Sequence, residues 1–319
     1  MRTKIEEQIT RYLNANRAVM VWGNPGTGKT AAVESAVKRL HRRMAYYHPI
    51  SAGEIGARGM PSMRDGKLLW SEPTFLEEVR EGADVIFIDE INIGREAMAL
   101  TMRIVNERLA GTHRIPEHVS FVCAGNSPEQ TMNDMPVALA NRLAHIHHEV
   151  KANDFFENFI SWGPAEESGA RAAVIAFLKV KSDLICGKPI DNGAYPTPRS
   201  WAMFSAVAAK SPRSEWREIA TECVGAGAAN DAGTFWKTMN LRSREQIAQL
   251  LKAGAFEVQP EMSSAYAEAQ VYVGMDDFHD LLRAYLVAGR KAVAKAAQIQ
   301  HTEMFPKIQL PRDLAEAYL

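Results

Sequence analysis

The sequence is short of cysteine, of net charge and of long apolar runs, and each shortage closes off a class of protein. Its three cysteines, Cys123, Cys186 and Cys223, are widely spaced, odd in number and never in a C-x-x-C pair. That excludes a disulfide framework and fits a reducing compartment, with the thiols serving as small apolar residues. No uninterrupted apolar run approaches the ~20 residues that span a bilayer. The start, Met1-Arg2-Thr3-Lys4-Ile5-Glu6-Glu7, lacks the apolar core of a secretory signal. These features read as a soluble, cytoplasmic protein with no membrane partner. Lys and Arg number 37 against 38 Asp and Glu, a formal charge of -1, which gives no global attraction to nucleic acid or anionic lipid. A local basic patch is compatible with that balance. No internal repeat or low-complexity tract occurs. What is present is a chain of 319 residues, 46% hydrophobic, enough for one large or two modest domains.

The stretch around which the chain is organised is Gly23-Asn24-Pro25-Gly26-Thr27-Gly28-Lys29-Thr30, which fills G-x-x-x-x-G-K-[ST]. Ala18 to Trp22 before it reads as a buried strand, and Ala31 to Arg42 after it, apolar at Val33, Val37 and Leu40, reads as a helix. Strand, glycine loop and helix are the context a phosphate-binding loop requires. Successive backbone N–H groups and a helix N-terminus face phosphate oxygens with donors and partial positive charge. Gly26 and Gly28 allow positive φ, Lys29 would reach the β- and γ-phosphates, and the Thr30 hydroxyl would ligate Mg2+. The competing reading is a Gly/Pro turn that binds nothing.

Asp84-Val85-Ile86-Phe87-Ile88-Asp89-Glu90 reads as a strand buried on both faces that delivers two carboxylates to its C-terminal end. In an open parallel sheet that end is where ligands bind. Asp89 can hold Mg2+ through water and Glu90 can polarise a water that attacks the γ-phosphate. An Asp-Glu pair is also common strand punctuation, and its weight comes from the upstream loop. Residues 95 to 109 are expected as a helix with Met98, Met102, Val105 and Leu109 inward, followed by a polar loop at Gly111 to Arg114. Val119 to Ala124 is a further strand, which brings Asn126 to the same sheet edge. Its amide can bond a γ-phosphate and the lytic water; Asn before Ser-Pro is equally ordinary turn chemistry. A short helix carrying Asn141-Arg142 precedes an alternating strand. Arg142 is either a surface residue or a guanidinium placed to reach a neighbouring subunit's phosphate. His145, His147 and His148 lack acidic or thiol company and read as solvated strand histidines rather than metal ligands.

Near the N-terminus, Ile5, Ile9, Tyr12 and Leu13 share a helix face, with Thr3 and Glu6 in capping-box register. Met44 to His48 is a second strand. After Gly53, Gly56 and Gly59 comes Met63 to Trp70, where Asp65-Gly66 signals a hairpin, a surface turn on sequence alone. Beyond residue 150 strand patterns stop and amphipathic helices follow at 172–184, 201–209, 243–251 and 278–293, the last with Phe278, Leu281, Leu282 and Tyr285 on one face. Arg199, in Tyr195-Pro196-Thr197-Pro198-Arg199-Ser200-Trp201, falls at a helix start, where a cation opposes the dipole and hints at an anionic partner. Lys291 and Lys295 read as solvated surface near a helix end.

In this order, the phosphate loop, Ile88-Asp89-Glu90, Asn126, Asn141-Arg142 and Pro198-Arg199, followed by a helical region, resemble the AAA+ ATPases. The segment Gly56 to Trp70, the string Leu139 to Leu143 and Thr197 to Trp201 are similar to the hairpin insert, finger motif and sensor-2 motif of the MoxR branch. The resemblance covers residues 1 to about 250 and implies an α/β P-loop NTPase core at 1–150, with a central parallel sheet flanked by helices. It further implies an all-helical lid domain with sensor 2 at 151–254, leaving a helical extension of unassigned role at 255–319. It implies Walker A at Gly23 to Thr30, Walker B at Asp89 and Glu90, sensor 1 at Asn126, the arginine finger at Arg142 and sensor 2 at Arg199. The cofactors it implies are ATP and Mg2+. A finger completes a neighbour's site, so the resemblance also implies a homo-oligomer, usually a hexameric ring, and often a partner bearing a von Willebrand factor A-type domain. Leu143 stands where the family commonly has Phe. The alternative within the same residues is a DNA-acting motor, which the charge balance does not favour; a small-molecule kinase is disfavoured by the adjacent Asp89-Glu90.

Overall fold

The computed structural model describes residues 3–127, 135–152, 154–156, 169–190, 193–238, 242, 244–260, 265, 268–269, 278–291, 293–295, 297–298 and 311–317. Two compact units are present, Met1–Glu149 and Val150–Leu319.

The first unit is built on a five-stranded sheet of β1 (Val19–Trp22), β2 (Met44–Tyr47), β5 (Val85–Ile88), β8 (Ser120–Gly125) and β9 (Ala144–His147), ordered β2-β5-β8-β1-β9 and parallel throughout. Because side chains alternate across a strand, each strand feeds two cores. Val19, Val21, Val85, Phe87, Val122 and Ala124 pack with the apolar faces of α1 (Lys4–Asn14) and α2 (Lys29–Arg39). Met20, Trp22, Ile86, Ile88, Phe121 and Cys123 pack on the opposite side with α4 (Thr74–Arg80) and α5 (Arg95–Glu107). The expected parallel sheet between helix layers is therefore the observed core. The capping box of α1 forms as expected, Thr3 and Glu6 exchanging backbone and side-chain hydrogen bonds.

Several boundaries differ from the sequence reading for local reasons. Helix α2 starts two residues early, because Gly28 at φ 91 takes the N-cap. It ends at Arg39, because the Leu40 N–H closes onto the last carbonyls and His41 turns left-handed. Helix α5 stops at Glu107, since Arg108 is left-handed at φ 52. Leu109 thus lies outside it, in a short β6 (Leu109–Ala110) paired antiparallel with β7 (His113–Arg114), so the expected polar loop is a small hairpin. Its buried face is Ala97, Met98, Thr101, Ile104 and Val105, with Met102 only half-buried. The glycine-rich stretch after β2 is a helix, α3 (Pro49–Arg58), broken at Gly53 and capped by His48. The hairpin predicted at Asp65-Gly66 is present as β3 (Pro61–Arg64) and β4 (Lys67–Trp70). Both turn residues are left-handed, at φ 53 and 72, as the twist of a two-residue hairpin requires. Met63 and Leu68 face one another on it, exposed.

The second unit is helical at Ala170–Val180, Pro198–Ala208, Trp216–Val224, Ala226–Thr238, Arg244–Lys252, Phe278–Val287 and Arg312–Ala317. Trp201, Phe204, Trp216 and Trp236 form its aromatic centre, with Phe204 stacked on Trp236 at 4.9 Å. The helices at 216–224 and 226–238 have no counterpart in the sequence reading; Gly225 separates them, and Gly227 and Gly233 interrupt the periodicity of the second. Gly225 is required where it stands: φ is 83, and a Cβ there would lie 2.3 Å from the Ala194 carbonyl oxygen. The helix predicted to run to Val293 ends at Val287, ahead of a left-handed Gly289. Phe278, Leu281, Leu282 and Tyr285 are all buried, as their spacing predicts.

Candidate functional site

The loop between β1 and α2 sits at the C-terminal edge of the sheet, where β1 and β8 lie side by side. Gly26 and Gly28 have φ 74 and 91, a left-handed pair that bends the backbone at low cost only for glycine. Gly23 is constrained by space instead, since a Cβ there would stand 2.9 Å from the His148 carbonyl oxygen. Thr27 Oγ1 donates to the Asn24 carbonyl at 2.8 Å, and the His148 ring meets the Thr27 carbonyl at 2.9 Å, pinning the loop from β9. Lys29 Nζ donates to the carbonyls of Gly23 and Asn24 at 2.7 and 3.0 Å and to Asn126 Oδ1 at 3.2 Å. Asn126 therefore faces Lys29, which the turn reading of Asn-Ser-Pro did not require.

The Thr30 hydroxyl donates to Asp89 Oδ2 at 3.0 Å, joining the first turn of α2 to the end of β5. An alcohol oxygen beside a buried carboxylate is a pair of hard donors, the kind Mg2+ selects. Among the described residues no cluster of three or more His, Cys, Asp or Glu competes with it for a metal. Asp89 Oδ1 accepts the Glu90 N–H at 2.9 Å, and Glu90 is left-handed at φ 57, a conformation that turns its side chain out of the strand line. The Glu90 carboxylate is half exposed and lies 2.8 Å from His48 Nε2.

Four residues belong to this neighbourhood that the sequence reading did not assign to it. His48, at the end of β2, meets Glu90. Tyr46 donates its hydroxyl to Asp89 Oδ2 at 3.0 Å; burial, then the Asp89 charge, pushes the phenol up, so it stays a donor. Asn92, almost fully buried, accepts the Asn126 N–H at 3.0 Å and donates to the Asn126 carbonyl at 2.7 Å. His148 holds Thr27. None lies within a phosphate-loop or acidic motif; only the strand order, which puts β2 beside β5, β5 beside β8 and β1 beside β9, brings them in.

Arg142 follows Asn141, the C-cap of α6 (Val137–Ala140). Leu139 and Leu143 enter the core on either side and leave the Arg142 side chain exposed, with no hydrogen bond or ion pair among the described residues. His145 and His147 are exposed on β9, as the solvated reading has it, but His145 and His148 also make specific hydrogen bonds. His145 Nδ1 accepts the Trp22 indole N–H at 2.8 Å, which leaves Nε2 to donate to the Ala140 carbonyl, 2.9 Å away, at the end of α6. Of the three, His147 is exposed and has no such partner among the described residues. Arg199 is the second residue of its helix in the second unit, exposed, behind a Thr197 cap that accepts from the Ser200 N–H. The structure thus brings together Lys29, Thr30, Asp89, Glu90 and Asn126, while no hydrogen bond draws Arg142 into that cluster.

Residues 19–148 match the model of the AAA family, the ATPase family associated with various cellular activities. No curated protein matches the sequence. Solved structures with some likeness include Thermotoga maritima RuvB, 12% identical over 89% of this chain and 86% of its own, TM-score 0.35. Others are Brucella abortus NtrX, 16% identical over 93% and 67%, TM-score 0.36, and Bacteroides Pif1 bound to single-stranded DNA, 21% identical, TM-score 0.28. The match to Pif1 takes in 40% of this chain and spans about a third, 32%, of that protein's length. At such scores these likenesses carry no argument, and the fold rests on the sheet order and the loop. The family match over 19–148, the strand order and the phosphate loop agree on one fold for this segment, an AAA+ P-loop core with a central parallel sheet flanked by helices.

Proposed function

We propose that the chain is a ring-forming, MoxR-like motor that hydrolyses Mg-ATP to remodel or activate a partner protein. The observation that carries the reading is the convergence of Thr30 on Asp89, at 3.0 Å, and of Lys29 on Asn126, at 3.2 Å. Three strand ends supply these groups, the arrangement that phosphoryl transfer by positioning and charge stabilisation needs. Gly23 to Thr30 would cradle the phosphates, with Lys29 on the β- and γ-oxygens. Thr30 and Asp89 would hold Mg2+, whose chemistry when bound is to neutralise charge across the phosphate oxygens. Glu90 would orient the attacking water and accept its proton, and Asn126 would fix that water against the γ-phosphate. Arg142, exposed and with no side-chain partner among the described residues, is suited to reach a neighbouring subunit's site, and Arg199 is assigned the sensor-2 role.

In this reading residues 151–254 are the lid and 255–319 an extension of unassigned role. The exposed Met63 and Leu68 of the β3–β4 hairpin are suited to grip a protein client. A partner with a von Willebrand factor A-type domain is proposed on family resemblance. The test is the molar mass of Glu90→Gln by light scattering, with and without Mg-ATP. This variant keeps nucleotide uncleaved, so assembly into a closed ring is expected only with Mg-ATP. A monomer under both conditions would sink the ring mechanism.

A further inference from the structure

We propose that Tyr46 is a positioning residue for the metal site, holding the Asp89 carboxylate in the orientation from which it serves Mg2+; this rests on the ATPase reading above. Asp89 is held at both oxygens. Oδ1 takes the Glu90 N–H at 2.9 Å, and Oδ2 takes two hydroxyls, from Thr30 and Tyr46, each at 3.0 Å. Thr30 belongs to the phosphate loop and is the group a metal would claim. Tyr46 belongs to neither motif: it reaches Asp89 from the edge strand β2, where its backbone partner on β5 is Phe87, two residues before the carboxylate.

The phenol is itself aimed by its surroundings. Its ring meets Phe87 edge-on, centroids 5.3 Å apart at 74°, and its backbone N–H donates to Glu78 Oε2 at 3.3 Å. On β2 its neighbours Ala45 and Tyr47 are buried, whereas Tyr46 is 43% exposed. An exposed phenol can satisfy its hydroxyl with water; this one spends it on a buried carboxylate instead. A carboxylate serving a metal through water must present its remaining lone pairs in one direction, and partners of this outer kind typically change metal affinity 10–100-fold when removed. Because the Glu90 N–H comes from the backbone and Thr30 is shared with the metal, Tyr46 is the side-chain donor that stays with Asp89 whatever Thr30 binds.

Tyr46→Phe removes the hydroxyl and keeps the ring on Phe87. Full-length wild type, Tyr46→Phe and Asp89→Asn would be titrated with Mn2+ by electron paramagnetic resonance, with a non-hydrolysable ATP analogue present. Affinity for the same analogue would be measured in EDTA, together with the melting temperature. The expected result is Mn2+ binding about tenfold weaker in Tyr46→Phe, with metal-free nucleotide affinity unchanged within about twofold. Mn2+ affinity equal to wild type in Tyr46→Phe but lost in Asp89→Asn would overturn the role of Tyr46 and leave the ATPase reading standing. A parallel fall in metal-bound and metal-free affinity with a lower melting temperature would make Tyr46 a structural strap between β2 and β5, and overturn the inference. Mn2+ binding indifferent to Asp89 would overturn the metal assignment itself.

Discussion

His48 Nε2 and Glu90 Oε2 lie 2.8 Å apart, so the residue assigned to activate water is engaged by an imidazole from the end of β2. While that bond lasts, one Glu90 oxygen is turned from a substrate water. His48 also caps α3, accepting the Ser51 N–H on Nδ1, so the variant must keep the cap and lose the reach. His48→Ser does both, serine being a good N-cap. A hydrogen bond to a charged group contributes about 1.5–3 kcal/mol when buried. This one is half exposed, so roughly 1 kcal/mol is at stake, about fivefold in rate. Basal ATP turnover of His48→Ser is expected to rise about threefold to fivefold at unchanged nucleotide affinity. Slower turnover would mean that His48 supports Glu90 in its working position rather than restraining it.

The phosphate loop, the two carboxylates and the buried strands were legible in the sequence because each is a local pattern with a fixed physical meaning. Gly26 and Gly28 had to be left-handed and are; Val85 to Ile88 had to be buried on both faces and is. The hairpin at Asp65-Gly66 was legible for the same reason. Partners that meet through the sheet order were not. Tyr46, His48 and Asn92 carry no motif, and nothing in a linear chain says that β2 will lie against β5. Helix α3 was hidden by Gly53, which breaks its periodicity, and the His145 bond to Trp22 links strands far apart in sequence.

Asn92 fixes the position of Asn126 by bonding both its backbone N–H and its carbonyl, at 3.0 and 2.7 Å. Asn92→Ala would leave both groups without these bonds, at a cost of about 2–3 kcal/mol. A melting temperature lower by roughly 5 °C is expected. Turnover should fall by at least about tenfold as Asn126 drifts from Lys29. Gly125→Ala reaches the same contact from the other side: its Cβ would stand 2.5 Å from Asn92 Oδ1 and 2.7 Å from Met20 Cε. Overpacking of that kind costs about 1–3 kcal/mol. Calorimetry showing either variant as stable as wild type would remove Asn92 from this role.

In the second unit, Glu268 is fully buried and bonded by Arg242 through Nε and Nη2, at 2.7 and 2.5 Å, and by Gln259 at 2.9 Å. Removing one partner of such a pair strands a charge, so Arg242→Ala is expected to cost about 3–5 kcal/mol in denaturant unfolding. The double variant Arg242→Leu with Glu268→Leu strands none and should recover most of that loss. A single variant as stable as the double one would show that Glu268 finds other partners.

Arg142 gives the sharpest test of action between subunits, because its exposed side chain is held by nothing among the described residues. Arg142→Ala is expected to bind nucleotide normally and to lose about 10³-fold or more in turnover, the scale measured for arginines that stabilise phosphoryl transfer. Loss alone does not say whose site the arginine serves. Lys29→Ala should be inactive for a different reason, its own loop being unable to hold the phosphates, while its Arg142 is intact. In mixed assemblies of the two, some Arg142→Ala sites would sit beside a Lys29→Ala subunit and receive its arginine. Random mixing at equal amounts makes about a quarter of interfaces productive in a closed ring. Turnover should therefore reappear on mixing two inactive proteins, at about a quarter of the wild-type rate. If both variants assemble and the mixture stays silent, Arg142 acts within its own subunit or not at all.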